Sequence, residues 1–166
     1  CRMDDSDELR TYHESLLTQL ADACRRTRHE FLLEIITARP DKLATPDQIH
    51  ALMERFYELG IFPDWWKLEP VLESGFWKRC GDIVRANDAQ MQGIIVLGKE
   101  AKSEVLASVF RNARAEPLVK GFAVGRTIFA GAAQDWLNGR IDDDMAVTTM
   151  TDLFAGLIDA WDKAGE

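Results

Sequence analysis

The sequence predicts an α/β fold in which parallel strands alternate with helices. Four short β-rich runs are centred near residues 34, 67, 96 and 124, and helical patterns fill the intervals between them. A repeat of roughly thirty residues is that of a βα unit, and strictly alternating units imply a parallel sheet with helical cover. Four units form either an open doubly wound sheet or the C-terminal half of a (β/α)8 TIM barrel. A complete barrel is excluded, since it takes about 250 residues and this chain has 166.

Length and composition indicate one domain, residues 1–166, with an expected location in the cytoplasm. The chain carries 20 basic and 28 acidic residues, a net charge of -8, without a basic stripe. A nucleic acid or an anionic membrane surface is therefore not an expected partner. No apolar run reaches membrane-spanning length, and no signal peptide is visible. Cys1, Cys24 and Cys80 lack CxxC spacing, which favours free thiols in a reducing compartment.

Capping residues and apolar spacing place the helices. Ser6 caps a first helix, Thr45-Pro46 begins a second, and Ser74 begins a third. In the first helix the apolar positions follow the helical spacing: Leu9, Tyr12, Leu16, Leu17, Leu20, Ala21 and Cys24. The last helix begins at Asp142 and is expected to bury a similar set: Met145, Met150, Leu153, Phe154, Leu157, Ile158 and Trp161.

One lysine stands out because it lies in a short apolar strand. Prolines at both ends of residues 63–70 exclude a helix interior, and strand alternation then puts Trp65, Lys67 and Glu69 on one face. A lysine among tryptophans loses hydration, which favours the neutral, nucleophilic amine needed for a Schiff base with a carbonyl substrate. The alternative is a lysine whose stem packs on tryptophan while its ammonium stays in water.

The active site of a parallel α/β fold lies at the carboxyl ends of the strands. The residues expected there are Glu34, Lys67, Glu69, Gly98-Lys99 and Gly125-Arg126. Of these, Glu69, Gly98, Lys99, Gly125 and Arg126 are the expected substrate- or phosphate-binding residues. Together they fit a division of labour in which Lys67 is the nucleophile and Glu34 the general acid/base. Gly125-Arg126 would clamp a phosphate with help from the N-terminus of the next helix. Lys99 is a second candidate for anion binding, with a solvated surface lysine as the alternative.

No sequence motif indicates a metal site, a nucleotide-binding site or a serine hydrolase. His13, His29 and His50 lack the spacing of metal ligands, and the chain has no Walker loop, GxGxxG or GxSxG. We therefore expect neither a metal nor a cofactor. Lys120 precedes its predicted strand and so lies at the wrong end for chemistry.

Three segments resemble a known family of enzyme domains. They are Phe31-Leu32-Leu33-Glu34, Pro63-Asp64-Trp65-Trp66-Lys67-Leu68-Glu69-Pro70 and Gly121-Phe122-Ala123-Val124-Gly125-Arg126-Thr127-Ile128-Phe129. The sequence resembles the aldolase-like domain fused behind 5-dehydro-2-deoxygluconokinase in bacterial myo-inositol catabolism. That domain is similar to the class I tagatose-bisphosphate aldolases, which are (β/α)8 barrels. The resemblance extends over nearly the whole chain.

The resemblance implies a carbon–carbon lyase with a Schiff-base mechanism. Lys67-Leu68-Glu69 matches the Lys-Val-Glu motif of the imine-forming lysine, Glu34 matches the acid/base, and Gly125-Arg126 matches the phosphate-binding turn. The implied reaction cleaves 6-phospho-5-dehydro-2-deoxygluconate to dihydroxyacetone phosphate and malonate semialdehyde.

The family's further N-terminal half-barrel is missing from the 166 residues. The expected partners are therefore that half-barrel, a fused sugar kinase domain, the phosphorylated sugar-acid substrate and, in a homo-oligomer, further copies of the chain. Two alternatives to the aldolase stay open at this point. One is a non-catalytic phosphosugar-binding module beside a kinase, and the other is a structural half-barrel that dimerises through its open edge.

Overall fold

In the computed structural model, strands and helices alternate over the described residues, 5–37 and 45–165. In chain order the elements are α1 (Asp7–Thr27), β1 (Leu32–Ile35), α2 (Pro46–Glu58), β2 (Trp65–Leu68), α3 (Phe76–Asn87), β3 (Gly93–Leu97), α4 (Ser103–Ala113), β4 (Val119–Ala123), α5 (Arg126–Leu137) and α6 (Asp143–Lys163). The four predicted strands are confirmed. Cys1 lies outside the described residues.

The four strands form one parallel sheet in the order β1-β2-β3-β4. A doubly wound sheet would reverse its order at a switch point, whereas this order simply follows the chain. The sheet is therefore that of half a (β/α)8 barrel, as predicted. Glu34 of β1 is the register partner of Lys67 of β2, and Lys67 is that of Ile95 in β3.

The helices cover one face of the sheet. Trp66 is fully buried there, packs on Phe56 and Tyr57 of α2, and donates from Nε1 to the Tyr57 hydroxyl at 2.9 Å. Phe122 of β4 contacts Phe110 of α4 on the same side, and it also contacts α6. Aromatic rings thus join alternate helices to the sheet, and α3 packs between α2 and α4. This face is the hydrophobic core.

The other face of the sheet is open, which fixes the position of the candidate site. Leu32, Glu34 and Ile36 alternate with buried residues along β1 and are exposed, while Lys67 of β2 is partly exposed. In a closed barrel this face would line the interior. Side chains on this face are therefore accessible to a substrate or to a partner.

Most predicted helix starts are confirmed. The Ser6 hydroxyl accepts from the Leu9 N–H, Pro46 occupies the first turn of α2, and the Asp142 carboxylate accepts from Met145 N–H at 2.8 Å. The prediction for Ser74 is wrong by one residue. Gly75 caps α3 instead, with φ +88°, because glycine adopts this left-handed conformation without steric cost.

The predicted burial of the last helix is largely wrong, and the apolar positions of the first helix are also mostly not buried. Only Ala21 is buried in α1, and in α6 the buried residues are Ala146, Leu157 and Trp161. The large exposed apolar residues are Leu9, Tyr12, Leu16 and Leu20 in α1 and Met145, Val147, Leu153, Phe154 and Ile158 in α6. In half a barrel each of these helices packs along one side only. Much of its broad apolar stripe therefore has no neighbouring surface to pack against. None of the described helices combines the length and apolar character needed to cross a bilayer.

Candidate active site

The predicted nucleophile and its predicted acid/base lie side by side on the open face. Lys67 Nζ is 2.9 Å from Glu34 Oε1, and their side chains are 23% and 34% exposed. Their strands are neighbours and the two residues are register partners, so the sheet itself sets this distance. A carboxylate at hydrogen-bond distance from an amine is placed to exchange a proton with it.

The surroundings of Lys67 differ from the desolvating, apolar environment that the sequence suggested. Trp66 points to the opposite face, into the core. Trp65 shares the open face, as predicted, but its indole Nε1 donates to Glu30 Oε2 at 3.0 Å. A carboxylate therefore compensates the Lys67 ammonium, where the sequence suggested desolvation by aromatic rings.

Glu69 also lies beside a lysine, but it is buried. One carboxylate oxygen accepts from the backbone N–H and the hydroxyl of Thr37, both at 2.8 Å, and the other accepts from Lys99 Nζ. Burial alone would raise the pKa of Glu69, but the Lys99 ammonium and the Thr37 donors outweigh it and lower that pKa. The predicted anion-binding residue Lys99 is thus paired with a carboxylate of its own chain.

The turn after β3 has an unusual backbone. Lys99 and Glu100 are both left-handed, with φ +48° and +60°, although neither is glycine. Side chains in this conformation cost about 1–2 kcal/mol each. Gly98 precedes them at a close approach, because a Cβ there would lie 2.6 Å from Val124 Cγ1. The structure thus gives Gly98 a packing reason to be glycine; its predicted role in substrate binding stays a prediction.

The last predicted element, Gly125-Arg126, stands at the N-terminus of α5, where Gly125 is the N-cap. The Arg126 guanidinium forms an ion pair with Glu100 and lines an open cleft of about 440 Å³ together with Lys102, Ser103 and Thr127. No side chain caps α4 or α5. Free N–H groups and a guanidinium on one cleft are suited to an anion.

Sequence reasoning missed two residues of this edge, Thr37 and Glu100. Thr37 lies three residues after Glu34 and Glu100 directly follows Lys99, but the pattern gives no sign of the partner of either residue. The prediction for Lys120 was wrong in detail, because this residue lies within β4, where its ammonium donates to Pro117 O at 2.8 Å. Among the described residues, no cluster of His, Cys, Asp and Glu is arranged to hold a metal.

All seven predicted site residues thus follow the strands at one edge of the sheet or lie on its open face. They form two lysine–glutamate pairs and one arginine cleft.

No curated protein matches the chain. Residues 1–165 match the family model DUF2090, described as an uncharacterized protein conserved in bacteria. Because this match spans nearly all 166 residues, the chain belongs to the DUF2090 family.

Proposed function

We propose that this protein is the site-bearing part of a class I aldolase, a lyase that cleaves a phosphorylated keto-sugar acid through a Schiff base on Lys67. The observation that carries the proposal is the 2.9 Å contact between Lys67 Nζ and Glu34 Oε1 on the open face of the sheet. Schiff-base chemistry needs a lysine that can lose its proton to a neighbouring base and still reach a substrate. This pair meets both requirements.

The reaction begins with proton transfer from the Lys67 ammonium to Glu34. The neutral amine adds to the substrate ketone, and the carbinolamine takes the proton back from Glu34 as its hydroxyl leaves as water. The resulting iminium accepts the electron pair of the breaking C–C bond, giving an enamine and an aldehyde. Glu34 removes the proton from the hydroxyl of the carbon that becomes this aldehyde. Protonation of the enamine and hydrolysis then free the lysine.

Arg126 is the proposed holder of the substrate phosphate. Its guanidinium lines the cleft at the N-terminus of α5, at the same edge of the sheet as the lysine. Charge-assisted contacts to a terminal phosphate would place the ketone over Lys67, which is how positioning contributes to rate. The substrate 6-phospho-5-dehydro-2-deoxygluconate, with dihydroxyacetone phosphate and malonate semialdehyde as products, is proposed from the sequence resemblance.

A second half-barrel is the proposed partner of the open face. β1 and β4 are the edges of the described sheet, and the exposed side chains of Leu32 and Ile36 stand beside Glu34. Unpaired parallel edges and an apolar face favour pairing with further strands. Such strands would also exclude water from the Lys67–Glu34 pair. Fusion to a sugar kinase and assembly into a homo-oligomer are proposed from the resemblance and from this open edge.

Borohydride trapping tests the proposal. The protein is incubated with dihydroxyacetone phosphate and reductant, and peptides are mapped by mass spectrometry. We expect a reduced adduct on Lys67 and none in Lys67→Met, while Lys120→Met, a matched lysine within β4, reacts like the unsubstituted protein. A folded protein that binds the phosphosugar without any adduct would instead be a non-catalytic binding module.

A further inference from the structure

The guanidinium that is proposed to hold the substrate phosphate is already engaged. Arg126 forms an ion pair with Glu100, and both side chains face the cleft, at 64% and 53% exposure. An anion that enters the cleft meets a guanidinium that is already paired, through one terminal nitrogen, with a carboxylate oxygen. Arginine recognises carboxylates and phosphates through the same planar set of donors, so the two compete for it.

Glu100 is held near Arg126 by the turn that carries it. The preceding residue, Lys99, is tied to the buried Glu69, and Gly98 packs against Val124 of the next turn. Lys99 and Glu100 both keep a left-handed backbone. The carboxylate is therefore presented from a turn that is fixed on its N-terminal side, rather than from a free surface chain.

We infer that Glu100 is a built-in competitor for the anion at Arg126, so that every ligand of this clamp must first displace it. The inference rests on the proposed function, because it takes Arg126 as the anion-binding residue. When the ligand binds, the Glu100 carboxylate passes into water and the Lys99–Glu69 pair keeps the base of the turn in place. Glu100 thus sets the affinity of the site without contacting the reacting atoms.

Competition has a signature that distinguishes it from a simple effect of nearby charge. Removing a competitor raises the affinity of every ligand of the site by the same factor, whatever the charge of the ligand. Removing a repulsive charge acts more strongly on a dianion than on a monoanion, because the Coulomb energy doubles. An exposed ion pair contributes about 0.2–1 kcal/mol, so the expected gain is about 1.5- to 5-fold in affinity.

The test is an NMR titration with sulfate and with acetate at constant ionic strength. The variants are Glu100→Gln, Glu104→Gln and Arg126→Gln. Glu104 is the matched control: it lines the same cleft, and no ion pair is found for it within the described residues. Glu100→Gln removes a competitor and also a nearby negative charge, so we expect it to tighten the binding of both anions, acetate included, by more than Glu104→Gln does. We expect Arg126→Gln to weaken the binding of both anions. Glu104→Gln should change sulfate binding more than acetate binding, and both by less.

Two results would overturn the inference. If Glu100→Gln behaves like Glu104→Gln while Arg126→Gln loses binding, the anion site stands but Glu100 is not a competitor. If neither anion binds to any folded variant, or if Arg126→Gln binds them unchanged, the clamp itself is absent. That second result also removes the phosphate site of the proposed function, whereas the Lys67 adduct would be unaffected by it.

Discussion

Two lysine–glutamate pairs lie on this sheet or directly after its strands, and the burial of the two pairs differs sharply. Glu34 and Lys67 are both partly exposed, with side chains at 34% and 23%. Glu69 is 1% exposed and pairs with Lys99 at 31%, and Thr37 gives the same carboxylate two more hydrogen bonds. The exposed pair can separate at small cost, because water replaces each partner. The buried pair cannot, because an isolated carboxylate would be left in the protein interior.

This difference suggests separate roles for the two pairs. A catalytic lysine must leave its carboxylate, bond to a substrate and return, which only the exposed pair allows. The buried pair ties together the chain segments that follow β1, β2 and β3, and it holds the turn from which Glu100 reaches Arg126. Under the proposed function, the same two residue types would thus serve chemistry in one place and architecture in the other.

The largest expected effect comes from the lysine of the exposed pair. Lys67→Met should abolish both turnover and the borohydride adduct, because no amine remains to form the iminium. Thermal unfolding should be almost unchanged. Turnover at the rate of the unsubstituted protein would refute the mechanism.

Substitution of Glu34, the partner of Lys67, should have a smaller but still large effect on the rate of adduct formation. We expect Glu34→Gln to slow adduct formation by about 10²–10⁴-fold, the usual contribution of a positioned acid/base. The side chain keeps its size and a hydrogen bond to Lys67, so the fold should persist. Single-turnover trapping kinetics measure this rate, and an unchanged rate would assign proton transfer to another group.

The buried pair should respond in stability rather than in chemistry. Lys99→Met should lower the free energy of unfolding by about 3 kcal/mol, since it leaves the buried Glu69 without a counter-charge. Lys67→Met should lower it by less than about 1 kcal/mol. Chemical denaturation of both variants measures the difference. Equal losses would mean that burial does not separate the two pairs.

The double variant Lys99→Met/Glu69→Gln sharpens this comparison. It removes both charges, so we expect it to recover part of the stability that Lys99→Met loses. If the double variant forms the Lys67 adduct normally, Lys99 is not the nucleophile. An adduct lost in this variant, with the fold intact, would move the chemistry to Lys99.

The smallest expected effect is a dependence of stability on pH. The pKa of Glu69 is lowered in the folded state, so its contribution is fully present above the ordinary glutamate value. It is lost as the pH falls through the folded value below that. Unfolding curves of the protein and of Glu69→Gln should therefore converge in acid, and a constant gap between them would contradict the burial of a charged Glu69.

Much of the fold could be predicted from the sequence because the signals are local. Strand runs, helix caps and the spacing of roughly thirty residues depend on neighbours along the chain, and all four predicted strands are present, although β4 begins at Val119, earlier than predicted. The proximity of Glu34 and Lys67 could also be predicted, because the carboxyl ends of parallel strands meet at one edge of the sheet. The DUF2090 match adds the family and leaves the reaction as a proposal.

Only the tertiary structure decided which charges pair and which apolar residues are covered. Glu69 and Glu34 both follow an apolar strand pattern in the sequence, but Thr37 and Lys99 enclose one of them and water reaches the other. The stripes of α1 and α6 fit helical spacing equally well whether or not a neighbour is present, so their exposure was not foreseeable. Periodicity reports which face of an element is apolar, whereas burial depends on what other parts of the protein bring against that face.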